Sequence, residues 1–204
     1  MKHIASTILT LAPLLTLAAC DKPAPTSQQS PAPAVPAAPA PTTAGHTTPA
    51  ASGAPTTLTI DRVTFTAPGN WVAEPPANMM RAAQFRIGAD AAAAVFKGIR
   101  GSADFNLARW EAQLVNDDKH VQTTERDLTN AKLYHFVGTG TFDGGMSMGN
   151  QGPQPNYMVL GALIELGPEE CIYIKATGPR ATLEPARADW DAMVNSIAVA
   201  PAAQ

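Results

Sequence analysis

Tyr157-Met158-Val159-Leu160-Gly161-Ala162-Leu163-Ile164-Glu165, then Gly167-Pro168, then Cys171-Ile172-Tyr173-Ile174-Lys175-Ala176-Thr177 is the stretch from which the fold is read. Both apolar runs are strand-length, and Gly-Pro between them is turn chemistry. Residues 156–165 and 171–177 therefore read as two paired strands. On the C-terminal side, residues 182–197 place Ala186, Trp190, Met193, Val194 and Ile197 on one helical face. Pro185 falls early enough in that helix to be tolerated. Burying the last four of these side chains at ~1.5–3 kcal/mol each is worth roughly 6–12 kcal/mol before entropy, comparable to a domain's net stability. This helix is expected to be the sheet's main cover.

On the N-terminal side, residues 120–124 and 132–141 suggest a hairpin turning over 127–131. Residues 102–116 read as a helix, with Ser102 as cap, Asp104 in the first turn, and Leu107, Trp110 and Leu114 at helical spacing. Strand signals occur at 81–87 and 93–97, while the Ala-rich run 89–94 suits either state. Glu74-Pro75-Pro76 blocks a helix. Residues 58–65 read as one strand, followed by the turn Ala67-Pro68-Gly69-Asn70 and Trp71. The expected class is α+β, mainly an antiparallel sheet of six or seven strands flanked by helices, over residues 56–200 with a tail at 201–204.

The chain opens differently. Lys2 and His3 precede an apolar run over 4–16 that is too short to span ~30 Å of hydrocarbon, as a secretory signal would be. Leu17-Ala18-Ala19-Cys20 resembles the lipobox of bacterial lipoproteins. The resemblance implies cleavage after residue 19, with Cys20 becoming the first mature residue and carrying a diacylglycerol thioether and usually an N-acyl chain such as palmitate. Two or three chains at ~0.8 kcal/mol per buried methylene hold a protein to a membrane without spanning it. The expectation is a domain anchored in the bacterial envelope and facing the periplasm. Asp21 resembles the inner-membrane retention mark of enteric bacteria, a rule that weakens in other lineages, so inner and outer membrane both stay open. Residues 21–55 hold nine Pro and ten Ala in 35 positions. That composition buries too little to fold and reads as an extended tether reaching up to roughly 110 Å at ~3.1 Å per residue.

Composition narrows the partners. The net charge of −3 becomes −4 once Lys2 is removed, and Lys and Arg are scattered singly, so nothing recruits nucleic acid. With Cys20 committed to lipid, Cys171 has no intramolecular disulfide partner and reads as a partly buried thiol acting as a small hydrophobe, with an intermolecular disulfide or a reactive thiol as the alternatives. About 150 residues make one self-sufficient core.

Several patterns invite chemistry. Gly145-Met146-Ser147-Met148-Gly149 matches G-x-S-x-G, yet the Pro/Gly-rich residues 150–155 cannot supply the helix that the elbow needs. All four histidines precede Ser147, against the usual order Ser, acid, His. Gly138-Thr139-Gly140 opens a nucleotide fingerprint, but Asp143 stands where the third glycine belongs, so no cofactor is implied. Met79, Met80, Met146 and Met148 could be imagined as soft copper ligands, but no x-Met-x-x-Met run or His pair supports a metal. His120 and His135 are not opposite one another in the hairpin, and His135 reads as a satisfied structural histidine. Asp117-Asp118, Glu169-Glu170, Asp189 and Asp191 read as solvated turns or helix faces, so no catalytic residue is assigned. Gly144, Gly145, Met146, Ser147 and Met148 form a candidate binding loop within the connection 138–155, since Gly-rich loops on rigid sheets often bind. A plain surface connection is an equal reading.

The turn Pro68-Gly69-Asn70-Trp71 after the first strand, the paired strands ending in Thr177-Gly178-Pro179 and the final amphipathic helix together resemble the PsbP-like superfamily over residues 58–198. The order is also similar to that of small envelope lipoproteins of that superfamily. The resemblance implies an antiparallel sheet flanked by helices and a non-enzymatic binding or assembly role, and it transfers no ligand site residue by residue. The first reading is a lipid-anchored domain that binds an envelope protein, wall or lipid-derived partner without turnover. The alternative is an envelope hydrolase or transferase.

Overall fold

The computed structural model describes residues 53–144 and 152–202. Its elements in chain order are β1 (Thr56–Ile60), β2 (Val63–Ala67), β3 (Val72–Glu74), β4 (Arg81–Ile87), β5 (Ala91–Ile99) and α1 (Ala103–Glu111), then β6 (Leu114–Leu128) and β7 (Ala131–Phe142). After these come β8 (Gln154–Gly167), β9 (Glu170–Pro179), α2 (Arg180–Leu183), α3 (Arg187–Asn195) and β10 (Ala198–Val199). Seven strands form an antiparallel sheet in the order β3-β4-β5-β9-β8-β7-β6, and β1-β2-β10 form a second, three-stranded sheet. The α+β class with a seven-stranded antiparallel sheet flanked by helices is as expected; the small second sheet is an addition.

β8 and β9 sit inside the large sheet and are covered on both faces, which is why their sequence is nearly continuous hydrophobe rather than alternating. Met158, Leu160, Ala162 and Ile164 of β8, with Ile172, Ile174 and Ala176 of β9, face a core built with Val63, Phe65, Leu183, Trp190, Met193, Val194 and Ile197. Val159, Leu163, Cys171 and Tyr173 point the other way, toward Ala103, Trp110, Leu114, Phe136 and Phe142. Helix α1 therefore covers one face, while α3 and the three-stranded sheet cover the other. Closure of the α1 layer depends on Gly161, where a Cβ would lie 2.2 Å from the Trp110 ring.

Four expectations are corrected. The strand read over 58–65 is a hairpin, with Ile60 paired to Val63 and Asp61 at φ 51° in the two-residue turn. Asp61 interrupts the alternation and tolerates the left-handed region. The helix read over 102–116 starts as expected, with the Ser102 hydroxyl accepting from the Phe105 N–H at 3.3 Å, but ends at Glu111. Leu114 already begins β6, and Asn116 at φ 69° is non-helical. Asp117-Asp118, read as a solvated turn or helix face, is exposed but lies inside β6, where its pairing with β7 shifts register between Val115 and His120. The helix read over 182–197 is broken into α2 and α3. Within a helix starting at 182, the ring of Pro185 would strike the carbonyl of Ala181, so the chain breaks there. The core residues of that segment are nonetheless those expected, with Trp190 fully buried. β3, which pairs with β4, carries no signal strong enough to be read from three residues.

Candidate functional site

Along β9, Cys171, Tyr173 and Lys175 alternate onto the α1 face, so an amine interrupts an otherwise apolar surface. Lys175 stands beside Ala94 of β5 and Gly161 of β8, two positions with little or no side chain. Its Nζ lies 5.7 Å from the ring centre of Trp110 and 5.6 Å from that of Phe142. The ammonium donates to Oε1 of Gln113, just beyond α1. The Gln113 carbonyl in turn accepts from the backbone N–H of Asp143 at 2.7 Å, which ties the base of α1 to the chain leaving β7. Lys175 is half-buried as a residue, but its ammonium end is closely surrounded. Burial, and after it the positive charge of Arg109, pushes its pKa down to about 7.

The rings continue as a strip. Phe96 contacts Tyr173 at 4.9 Å between centres, Tyr173 meets the edge of Trp110 at 5.0 Å, and Phe142 stacks on Tyr157 at 5.8 Å. Two further cations lie along it. Arg81 sits over Phe96 at 5.7 Å and Arg109 over the exposed Phe105 at 5.9 Å. Arg81 donates to Gln84 and Arg109 to Asn106, both neutral amides. This face thus sets basic side chains beside aromatic rings, with Glu165 farther along it bonded to Tyr134. Such an arrangement can hold a negative group by charge and a flat apolar body by stacking.

The candidate binding loop connects to this place. Gly144 is buried at its entry, and Phe142 pairs with Gln154 at its exit, so the connection leaves and returns beside Lys175. Gly145, Met146, Ser147 and Met148 lie outside the described residues, as does Cys20. Lys175 itself was not singled out from the sequence. The available signal was a lone charge at an inward position of an apolar strand.

The other candidates are structural in geometry. His135 pairs with Thr124, and His120 with Thr139, so the imidazoles are apart. Nε2 of His135 accepts from the Trp190 indole N–H at 3.0 Å, and Asp191, held by Arg187 at 3.1 Å, lies 3.6 Å away. Burial lowers the His135 pKa against the opposing pull of Asp191, with Arg187 and Arg126 adding to the lowering. Cys171 is free and fully buried; burial, then the charges of Glu165 and Glu170, push its thiol up to about 11. Met79 and Met80 are exposed in the β3–β4 connection. Among the described residues no three His, Cys, Asp or Glu cluster as metal ligands, and no helix is long and apolar enough to cross a membrane. A cleft of about 250 Å³ between the two sheets is lined by Leu58, Ala73, Ala83 and Phe85, with Trp71 at its wall.

No family model matches this sequence, and no curated protein matches it. Solved structures similar to the chain include the solution structure of cyanobacterial PsbP (CyanoP) from Synechocystis sp. PCC 6803, at 16% sequence identity and a TM-score of 0.48. The alignment covers 74% of this chain and 94% of that one.

Proposed function

We propose that this chain is a lipid-anchored protein of a bacterial cell envelope whose domain binds a partner without turning it over, on the α1 face where the β7–β8 connection leaves and returns. The lipobox-like Leu17-Ala18-Ala19-Cys20 and the Pro/Ala-rich tether support the anchoring. One observation carries the binding reading: the amine of Lys175 is buried between the rings of Trp110 and Phe142 and held by Gln113, on a face otherwise apolar. Burying an ionisable group is costly, and such costs concentrate at sites that use them. Gln113, which accepts from the amine, is a neutral amide that holds it in place.

The test has two arms on the full chain expressed in a bacterial host. Mass spectrometry of the purified chain is expected to find a mature N-terminus at Cys20 carrying acyl chains. A photo-crosslinking residue at Tyr157, half-buried on the same face, is expected to capture an envelope component in a manner that Phe142→Ala weakens. An unmodified, freely diffusing chain would overturn the anchoring. A purified chain that turned over cell-wall or ester substrates would identify an envelope hydrolase or transferase instead.

A further inference from the structure

On the opposite face of the large sheet, the β6–β7 hairpin fastens α3 at two points. Near the middle of the helix, the indole N–H of the fully buried Trp190 donates to Nε2 of His135 on β7 at 3.0 Å. At its end, Arg126 on β6 donates to the Val194 carbonyl at 2.9 Å and to Oδ1 of Asn195 at 3.2 Å. Arg126 stays charged at every working pH. The other fastening depends on an acceptor that a proton can remove.

An indole nitrogen only donates, so Nε2 must offer its lone pair and the neutral ring must carry its proton on Nδ1. Protonation turns both ring nitrogens into donors. Nε2–H would then face the Trp190 N–H, and two donors cannot form a bond. The same nitrogen lies 3.6 Å from Oδ1 of Asp191, the residue next to Trp190, which Arg187 holds at 3.1 Å. One imidazole nitrogen therefore stands between an indole that needs it neutral and a carboxylate that favours it charged. A cleft of about 120 Å³, lined by Thr124, Arg126, His135 and Asn195 among others, adjoins the ring and leaves it space to turn. We propose that His135 is an acid-sensitive latch: on protonation its Nε2 leaves the Trp190 indole for the Asp191 carboxylate, and α3 loosens from the sheet.

The charged groups that act on the imidazole are Asp191 and Arg187 on α3 and Arg126 on β6. Glu125 also lines the cleft, 3.7 Å from Lys132. On β8, Ala162 pairs with His135, and its neighbours on the same face, Leu160 and Ile164, are likewise uncharged. Burial first, then the two guanidinium groups, hold the ring below its ordinary 6.5 against the pull of Asp191. As the pH falls the unfolded chain therefore takes up this proton before the folded one does. The contribution of neutral His135 is whole above 6.5 and is lost as the pH drops below it, through the lower pKa of the folded ring. The buried indole N–H, left without an acceptor, adds to the loss.

The test follows the full chain by NMR from pH 8 to pH 4.5, observing the His135 ring and the Trp190 indole N–H together. At pH 8 the ring is expected in its Nδ1–H form, with the indole proton slow to exchange. As His135 takes up its second proton, the indole signal is expected to move with the same midpoint. Hydrogen exchange of the α3 amides, corrected for its intrinsic pH dependence, is expected to rise roughly tenfold relative to that of α1. Trp190→Phe removes the competing donor and is expected to shift the His135 midpoint upward. Asp191→Asn, at a partly exposed position, is expected to shift it downward, so the test stands if Trp190→Phe does not fold. His135→Gln offers the indole an acceptor that does not titrate, and is expected to abolish the acid rise in α3 exchange. An indole signal that stays put through the His135 titration, an Nε2–H ring at pH 8, a midpoint indifferent to Asp191→Asn, or an α3 response that survives in His135→Gln would overturn the proposal.

Discussion

Replacing Lys175 by Met should stabilise the protein, and by an amount that depends on pH in a defined direction. In the unfolded chain the amine titrates at its ordinary 10.5, and in the fold at about 7. Below pH 7 the folded protein carries the whole cost of the buried ammonium; above 10.5 it carries none. At pH 7 the cost is about 4 kcal/mol, and by pH 9 it has fallen to about 2 kcal/mol, taking 1.36 kcal/mol for each unit between the two states. Methionine removes that cost but forfeits the bond to Gln113 and the two ring contacts, together roughly 2–3 kcal/mol. The net expectation is a variant more stable than the natural chain by about 1–2 kcal/mol at pH 7. Urea unfolding of both chains at pH 7 and pH 9 isolates the effect, because every other titrating group cancels in the difference. The difference should shrink by about 2 kcal/mol as the pH rises, since the natural chain gains stability there and the variant does not. A difference independent of pH, or a variant clearly less stable at pH 7, would refute the reasoning.

Trp190→Ala removes a fully buried indole that stacks on Trp71 and donates to His135, and should cost ~3–5 kcal/mol in a thermal or urea melt. Gly161→Ala places a methyl 2.2 Å from the Trp110 ring and should cost ~1–3 kcal/mol by overpacking, with a changed Trp110 environment in near-ultraviolet dichroism. Cys171, raised to about 11 and fully buried, should not react with a disulfide reagent at pH 8 until the chain is unfolded, when one thiol per domain appears.

The large sheet was legible because its central strands are unusually apolar: β8 and β9 are covered on both faces, so hydrophobe count alone marks them. Their turn was equally plain, with Pro168-Glu169 between Gly167 and Glu170. Element ends were less legible, for local reasons. Asn116 at φ 69° and Asp61 at φ 51° redirect the chain through single polar residues that look, in sequence, like ordinary helix or strand surface. Pro185 is compatible in sequence with a helix's first turn, but the helix ends before it at Leu183 and restarts at Arg187. β3 exists because β4 offers it an edge, a tertiary cause that three residues cannot announce. The site was read in part. The Gly-rich connection stands out by composition, and Phe142 at its entry lies beside Lys175. Arg109 and Lys175 stand singly in the sequence and approach one another only through α1 and β9.

The most direct test is the titration of the Lys175 side chain itself, followed by NMR on the full chain with lysine labelled at Cε. An amine that releases its proton near pH 7 is the predicted result. An amine that stays charged up to about 10.5 would contradict the account, because the enclosure by Trp110, Phe142 and Gln113 would then not desolvate it.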